Sequence, residues 1–242
     1  MPEPAPAALD ATLDNAFDAM WAATARQAWA PSRLTAREQV FLTVVADVCQ
    51  SCLGLPFEQH VRAGLDRGVT AGELRALLSF VSYDTGYHAA AAALAALARI
   101  EAADGLPRTD PVPPAEALLR FGPDAPPSPL PEGALTAMRA LDPHYAEFSL
   151  HQSGMRAGHG PGTLDERERA FATMSVDVHY QTLGDSFRIH VTRALQGGAT
   201  SEDVREVLRF IAPFGATRAW QGWIALVPIL DAAGSRAPSA TR

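Results

Sequence analysis

Apolar residues recur along most of the chain at the three- and four-residue spacing of amphipathic helices. The first strong helix opens at Thr35, where a threonine N-cap and Glu38 three residues later form a capping box. A second helix covers residues 57–67 and ends at Gly68, a residue suited to the left-handed conformation. A later helix of the same copy, rich in alanine, covers residues 86–103. No segment needs a strand, so the pattern predicts an all-α protein.

The helical pattern occurs twice. Residues 34–70 align without a gap on residues 164–200 at an offset of 130, and fifteen of the 37 aligned positions are identical. Asp165 and Glu168 repeat the capping box, and residues 216–233 repeat the alanine-rich helix. The chain is therefore a tandem duplication, a pseudo-dimer within one polypeptide. The identical pairs include Asp47 and Asp177, His60 and His190, and Gly68 and Gly198.

Domain boundaries follow from the duplication and from proline content. Nine of the 19 prolines fall between the two copies, which is typical of a linker. Each copy is also preceded by a further helical pattern, at residues 15–29 and 144–156. We predict a first repeat over residues 8–104, a Pro-rich linker over 105–133, a second repeat over 134–234 and a disordered tail over 235–242.

Composition then excludes several kinds of chemistry. All 20 basic residues are arginine, so catalysis through a lysine Schiff base, lysine-anchored pyridoxal phosphate and a lysine-dependent phosphate loop are excluded. A net charge of −7 argues against a nucleic-acid partner. No apolar run approaches the roughly 20 residues of a membrane span, and the first residues do not resemble a signal peptide. We therefore expect no membrane association and a cytoplasmic protein.

The first long helix of each copy carries a stripe of residues that share one face at about 100° per residue. In the second copy this stripe is polar, which suggests a lined pocket because an unpaired buried polar group costs about 1 to 3 kcal/mol. In the first copy it is mostly apolar, and its Cys49 and Cys52 could be core residues or a redox pair. The stripes read Glu38, Leu42, Val45, Cys49 and Cys52 in the first copy and Glu168, Ala172, Ser175, His179 and Thr182 in the second.

The order Leu-x-x-Arg-Glu, long apolar helix, Phe-x-x-His-Val and Gly-x-Thr resembles the carboxymuconolactone decarboxylase family, which includes alkylhydroperoxidase D-like proteins. The segments 55–70 and 189–200 carry this resemblance, and it extends over both copies. It implies an all-helical fold assembled into rings of six repeats, hence a homotrimer of two-repeat chains. It also implies that His60 and His190 act as acid/base groups.

The function that we favour is that of a cofactor-independent lyase or isomerase acting on a small carboxylate or lactone. In this prediction His190 or His179 moves a proton, Glu168 orients or shares it, and Arg218 binds the anion, with Ser175 and Thr182 lining the pocket. Arg62 and Arg193 are second choices for the anion, and no metal is expected because no short His-x-His or His-x-x-x-His spacing occurs.

Two alternatives stay open. In the peroxidase branch of the resembled family, a glutamate, a Cys-x-x-Cys pair and a nearby histidine carry out thiol chemistry. Here Glu38, Cys49 and Cys52 are present, but His60 follows the second cysteine by eight residues. The other alternative is a binding protein without catalysis on the same fold.

Overall fold

The computed structural model describes residues 14–29, 32–106, 116–120, 130–158 and 164–234. Within those ranges the chain is helical and contains no strand, which confirms the predicted all-α fold. Single 3₁₀ turns cover Glu116–Leu119 and Ala212–Phe214. The α-helices are α1 (Asn15–Trp29), α2 (Ala36–Cys49), α3 (Leu55–Asp66), α4 (Ala71–Thr85), α5 (Tyr87–Ala103), α6 (Glu132–Leu141), α7 (Pro143–Gly158), α8 (Glu166–Tyr180), α9 (Asp185–Gln196), α10 (Ser201–Ile211) and α11 (Ala216–Gly234).

Helices α2 and α8 form the centre of the molecule. They are the first long helices of the two repeats, and they pack against each other. Every residue of α2 from Val40 to Val48 and of α8 from Ala170 to His179 is buried. A helix that is buried on all sides has no solvent-facing stripe, which explains why apolar residues occupy nearly the whole circumference of α2.

The two repeats are joined at the start of these central helices by a reciprocal set of ion pairs. Arg37 of α2 contacts Glu168 of α8 with 2.5 Å between Nε and Oε1, and Arg167 contacts Glu38 at 2.6 Å between the same atoms. Both glutamates also complete the predicted capping boxes, by accepting hydrogen bonds from the backbone of Thr35 and Asp165. The arginine of each repeat thus pairs with the glutamate of the other repeat, as expected from a duplicated unit.

Several local predictions can be compared with the structure. Gly68 and Gly198 have φ of 86° and 90°, which confirms the left-handed turn predicted after the second helix of each repeat. Helix α6 begins at Glu132, two residues before the boundary that we place between linker and second repeat. Most of the predicted linker and the predicted disordered tail, residues 235–242, lie outside the described residues.

Helix α6 lies before the helices of the second repeat that have described counterparts in the first. Helices α7 to α11 correspond in order to α1 to α5, whereas α6 has no equivalent in the part of the first repeat that the structure describes. It packs on α7, and its apolar residues Ala134, Ala137 and Met138 face a cavity between the repeats. None of the described helices is long and apolar enough to cross a membrane.

Candidate active site

Each repeat contains a buried pair formed by an aspartate and a histidine. In the second repeat, Asp177 of α8 lies 2.6 Å from His190 of α9, measured from Oδ2 to Nδ1. In the first repeat, Asp47 of α2 lies 2.7 Å from His60 of α3 between the same atoms. The duplication therefore preserves an interaction as well as a fold.

The turn between α8 and α9 builds a hydrogen-bond network around Asp177. Gln181 adopts a left-handed conformation, with φ of 59°, which turns the chain back toward the helix it has just left. The hydroxyl of Thr182 then donates to Asp177 Oδ1 at 2.7 Å, and the hydroxyl of Ser186 donates to the same oxygen at 2.8 Å. His190 lies one turn after Ser186 on the same face of α9. Asp177 thus accepts hydrogen bonds on both of its oxygens.

This network determines which nitrogen of His190 can react. A carboxylate accepts hydrogen bonds, so Asp177 holds the proton of His190 on Nδ1. The other ring nitrogen, Nε2, is then the one that can take or give a proton. The His190 side chain lines a cavity of about 820 Å³ between the two repeats. A bound molecule in this cavity, hereafter the His190 cavity, could exchange a proton with Nε2.

Part of the lining of the His190 cavity is charged. Three of its described lining residues are arginines, namely Arg156 of α7, Arg169 of α8 and Arg193 of α9. Asp84 and Glu166 also line it. We call these five residues the polar end.

Aromatic stacking and one ion pair position the guanidinium groups of the polar end. The guanidinium carbon of Arg156 lies 4.4 Å from the ring centre of Phe80, and that of Arg169 lies 5.6 Å from the same centre. The Arg156 Nη2 atom lies 2.8 Å from Asp84 Oδ2, an ion pair whose angle does not make a hydrogen bond. Arg156 Nε is buried and has no hydrogen-bond partner in the described part of the chain. An acceptor on a bound molecule could satisfy it.

The pKa shifts show that positive charge accumulates at this end. Burial, together with the nearby charge of Arg156, lowers the pKa of both Arg169 and Arg193. Both side chains stay protonated because an arginine pKa lies so far above neutrality. A bound anion would relieve the repulsion between the guanidinium groups. Burial also raises the pKa of Asp84, while Arg156 and His190 act to lower it.

The equivalent histidine of the first repeat has different surroundings. His60 lies edge-on to Phe214, with 6.5 Å between ring centres. Within the described residues, its partner Asp47 has no side-chain hydrogen bond except the one with His60. Burial raises the pKa of Asp47, and the hydrogen bond from His60 opposes that rise.

The polar stripe that the sequence singles out is placed away from the His190 cavity. Glu168 and its counterpart Glu38 are occupied by capping boxes and by ion pairs across the repeats. Ser175 is completely buried, and His179 Nδ1 donates to the backbone oxygen of Ser175 at 2.7 Å. Burial lowers the pKa of His179, which keeps its ring neutral. We therefore leave these four residues out of the proposed site.

Two other residues predicted for substrate binding have different positions. Thr182 reaches the site indirectly, through its hydrogen bond to Asp177. Arg218 lies outside the His190 cavity: its Nη2 donates to the backbone oxygen of Phe214 at 2.9 Å and to Gln50 Oε1 at 3.3 Å. Arg193, the second choice for the anion, lines the cavity three residues after His190.

The two thiols of the first repeat have different surroundings. Both cysteines are free. Burial raises the pKa of Cys49 to about 12, and the hydrogen bond with Tyr180 and the charge of Arg218 oppose the rise. Cys52 is exposed, and its Sγ contacts the backbone oxygen of Gln50 at 3.6 Å. A thiol peroxidase needs a thiolate near neutral pH, and burial disfavours the thiolate of Cys49.

Several residues near His190 were missed by sequence reasoning, among them Arg156 of the polar end. Asp177 was detectable, because it and Asp47 both match in the duplication and both precede the matched histidine by thirteen residues. Ser186, Arg169 and Asp84 gave no such signal, because each reaches the site through tertiary packing. No group of three or more histidine, cysteine, aspartate or glutamate side chains within the described residues could hold a metal ion.

A comparison with protein-family models agrees with this architecture. The model of the carboxymuconolactone decarboxylase family matches residues 15–99 and 144–227. The two matches coincide with the two repeats and together cover more than half of the chain. The chain therefore belongs to the carboxymuconolactone decarboxylase family, in a tandem two-repeat form.

Solved structures give the same fold. A similar crystal structure is that of a "putative gamma-carboxymuconolactone decarboxylase subunit" from Burkholderia xenovorans LB400. It has a TM-score of 0.51 and 19% sequence identity, over 93% of this chain and 88% of that chain. At this identity the likeness establishes a common fold and no more. Among curated proteins, none matches the chain significantly in sequence.

Proposed function

We propose that this protein is a lyase that acts by histidine acid/base chemistry on a small carboxylate, with His190 as the catalytic residue. The observation that carries this proposal is that His190 lines the His190 cavity beside the polar end while Asp177 fixes its tautomer. An imidazole can exchange protons near neutral pH, and a neighbouring carboxylate orients it and stabilises its charged form.

The proposed reaction is a decarboxylation or a related proton transfer. In the decarboxylation, the carbon–carbon bond to the carboxylate breaks, carbon dioxide leaves, and the electron pair stays on the substrate as an enolate. The Nε2–H of the charged His190 ring then protonates the enolate carbon, and the ring is reprotonated from water. The chain has no lysine for a Schiff base, and in the proposed reaction a carbonyl or lactone group of the substrate itself accepts the electron pair.

The polar end supports this chemistry electrostatically. The negative charge of the substrate carboxylate passes to the enolate oxygen during the reaction, so it stays close to the same guanidinium groups throughout. Arg156 and Arg193 belong to different helices, α7 and α9, and can approach an anion from two directions. Fixed cations directed at a developing oxyanion lower the activation barrier.

The proposal is tested by a matched pair of variants, His190→Gln and His60→Gln. A panel of 3-oxo carboxylates and lactone carboxylates is screened for released carbon dioxide, and the variants are assayed on the substrate found. We expect His190→Gln to lower kcat/KM by about 10²- to 10⁴-fold, and His60→Gln to leave it near that of the parent. The reverse result, with both variants folded by circular dichroism, would overturn the assignment.

We also propose that the protein is a homotrimer that associates through the alanine-rich helices. On α11, Trp220, Ile224 and Val227 form one stripe and are 61%, 53% and 52% exposed. Exposed apolar stripes of this kind are typical of interfaces. Light scattering should give three times the chain mass of 25.7 kDa, and a Trp220→Asp variant should dissociate; a parent protein that is strictly monomeric at micromolar concentration would refute the proposal.

A further inference from the structure

The composition of the His190 cavity suggests which carboxylates it accepts. Apart from the polar end, much of its lining is apolar, and α6 and the residue Leu130 before it supply Leu130, Ala134, Ala137, Met138 and Leu141. An apolar wall disfavours a second charged group, because a charge there would lose its hydration without gaining a partner. The cavity therefore offers charged groups to an anion and apolar surface to hydrocarbon.

The polar end offers a donor to an anionic group. Arg156, Arg169 and Arg193 line the cavity together, and Arg156 Nε is buried without a hydrogen-bond partner in the described part of the chain. A carboxylate oxygen of a bound molecule could accept a hydrogen bond from it.

The size of the cavity points in the same direction. At about 820 Å³ the cavity lies in the upper part of the range of about 300–1,000 Å³ that small-molecule pockets span. A compact polar acid would leave much of that volume as water against hydrocarbon walls. A ligand with an apolar body would displace this water and gain hydrophobic free energy.

We propose that the natural ligand of the His190 cavity is an amphiphilic monocarboxylate, whose carboxylate lies at the polar end beside His190 and whose hydrocarbon body packs under α6. This inference rests on the proposed function for the placement of the reacting end. It adds the substrate class: a single negative charge attached to an extended apolar chain or ring system. Helix α6, which lacks an equivalent in the described part of the first repeat, is then the element that determines specificity.

The test uses inert probes and measures binding alone, by isothermal titration calorimetry on the full chain. Butanoate, octanoate and dodecanoate differ only in hydrocarbon length, and octanedioate adds a second carboxylate to octanoate. We expect affinity to rise about fourfold for each added methylene, and octanedioate to bind at least tenfold more weakly than octanoate. Equal affinities along the series, or tighter binding of octanedioate, would overturn the proposal.

Two matched pairs of variants locate the ends of the ligand. Ala134→Phe on α6 fills the apolar end, and Ala140→Phe changes an exposed position of the same helix outside the lining. We expect the first to weaken dodecanoate binding at least tenfold while leaving butanoate unchanged, and the second to alter neither. On α9, Arg193→Gln should weaken every monocarboxylate, while Arg188→Gln should not.

These outcomes separate the substrate class from the catalytic proposal. If affinity does not depend on chain length, the substrate class is wrong, whatever happens to turnover in the His190→Gln variant. If the chain-length series behaves as expected but His190→Gln keeps full turnover, the catalytic proposal fails and the binding class stands. The ligand series on the parent protein decides the inference even if a variant does not fold.

Discussion

The two aspartate–histidine pairs have the same backbone frame but different surroundings. Around His190, the second repeat supplies Thr182, Ser186 and Arg193, and the first repeat supplies Asp84. At the offset of 130, the positions equivalent to these four residues are Cys52, Pro56, Ala63 and Phe214. At each of these positions the surroundings of His190 have a polar or charged side chain, whereas the equivalent position near His60 has a side chain that is apolar or hydrogen-bonds only weakly.

This comparison shows how a duplicated unit can specialise without a change of fold. Asp177 receives three side-chain hydrogen bonds and its histidine borders the His190 cavity, whereas Asp47 has only His60 as a side-chain partner in the described part of the chain. The repeats also exchange the group that faces the histidine: Asp84 of the first repeat lies near His190, and Phe214 of the second repeat lies against His60. The surroundings of His190 therefore support the proposed chemistry, and His60 does not line the same cavity.

The largest expected difference between the pairs concerns their aspartates. Thr182 and Ser186 donate to Oδ1, so in Asp177→Asn the amide oxygen is favoured there and the NH2 group faces Nδ1 of His190. This favours the other tautomer of the ring, and we expect kcat/KM to fall by about 10²- to 10⁴-fold. Asp47→Asn should leave turnover within about threefold of the parent, because His60 does not border the cavity. Steady-state kinetics on the identified substrate measure both, with folding followed separately by circular dichroism. Equal losses of kcat/KM in the two variants would show that the two aspartate–histidine pairs do not differ in their contribution to turnover.

The next effect concerns the hydroxyl groups that hold Asp177. Removing both, with Thr182→Val and Ser186→Ala, should lower kcat by about tenfold or more with little change in KM, since charge-assisted hydrogen bonds are each worth about 1.5 to 3 kcal/mol. The pH profile of kcat should move as well, because these groups act through Asp177 on the histidine. Thr182→Ser keeps the hydroxyl and is the matched control. An unchanged pH profile in the double variant would show that the hydroxyls are structural only.

A smaller effect is expected in the pH dependence of stability. Burial lowers the pKa of His179 in the folded protein, so below the ordinary histidine pKa of about 6.5 the unfolded chain binds more protons at this residue than the folded chain. Stability contributed by the neutral ring is thus present above that pH and is lost as the pH falls. His179→Gln cannot titrate, and its free energy of unfolding in urea should fall less between about pH 7.5 and about pH 5.5. A fall as steep as that of the parent would contradict this assignment.

The smallest expected effect concerns the thiols of the first repeat. Replacing Cys49 and Cys52 together by serine should leave turnover within about twofold, because neither lines the His190 cavity. With a pKa of about 12, Cys49 is a thiolate in only about one molecule in ten thousand at pH 8, so iodoacetamide should label the exposed Cys52 first. Dithiol-dependent reduction of an organic hydroperoxide by the parent protein, lost in the double variant, would instead favour the peroxidase alternative.

Local patterns determined the fold of this protein to a large extent. The capping boxes at Thr35 and Asp165, the left-handed glycines and the apolar periodicity all depend on neighbours a few residues away, and the structure has each of them where the sequence predicts it. The duplication also matched Asp47 with Asp177 and His60 with His190, but the match did not indicate that each aspartate pairs with its histidine.

The tertiary structure alone decided which of these polar residues meet at a cavity. Glu168 and His179 share a helical face, but packing of α2 on α8 buries that face and occupies it with ion pairs and backbone hydrogen bonds. Asp84 is more than a hundred residues from His190 in the sequence, and it acts on that ring because the first repeat packs against the second. Periodicity reports which residues share a face of one helix. It carries no information about which other helix that face will meet, since long-range packing depends on the combined shape and burial of all the helices.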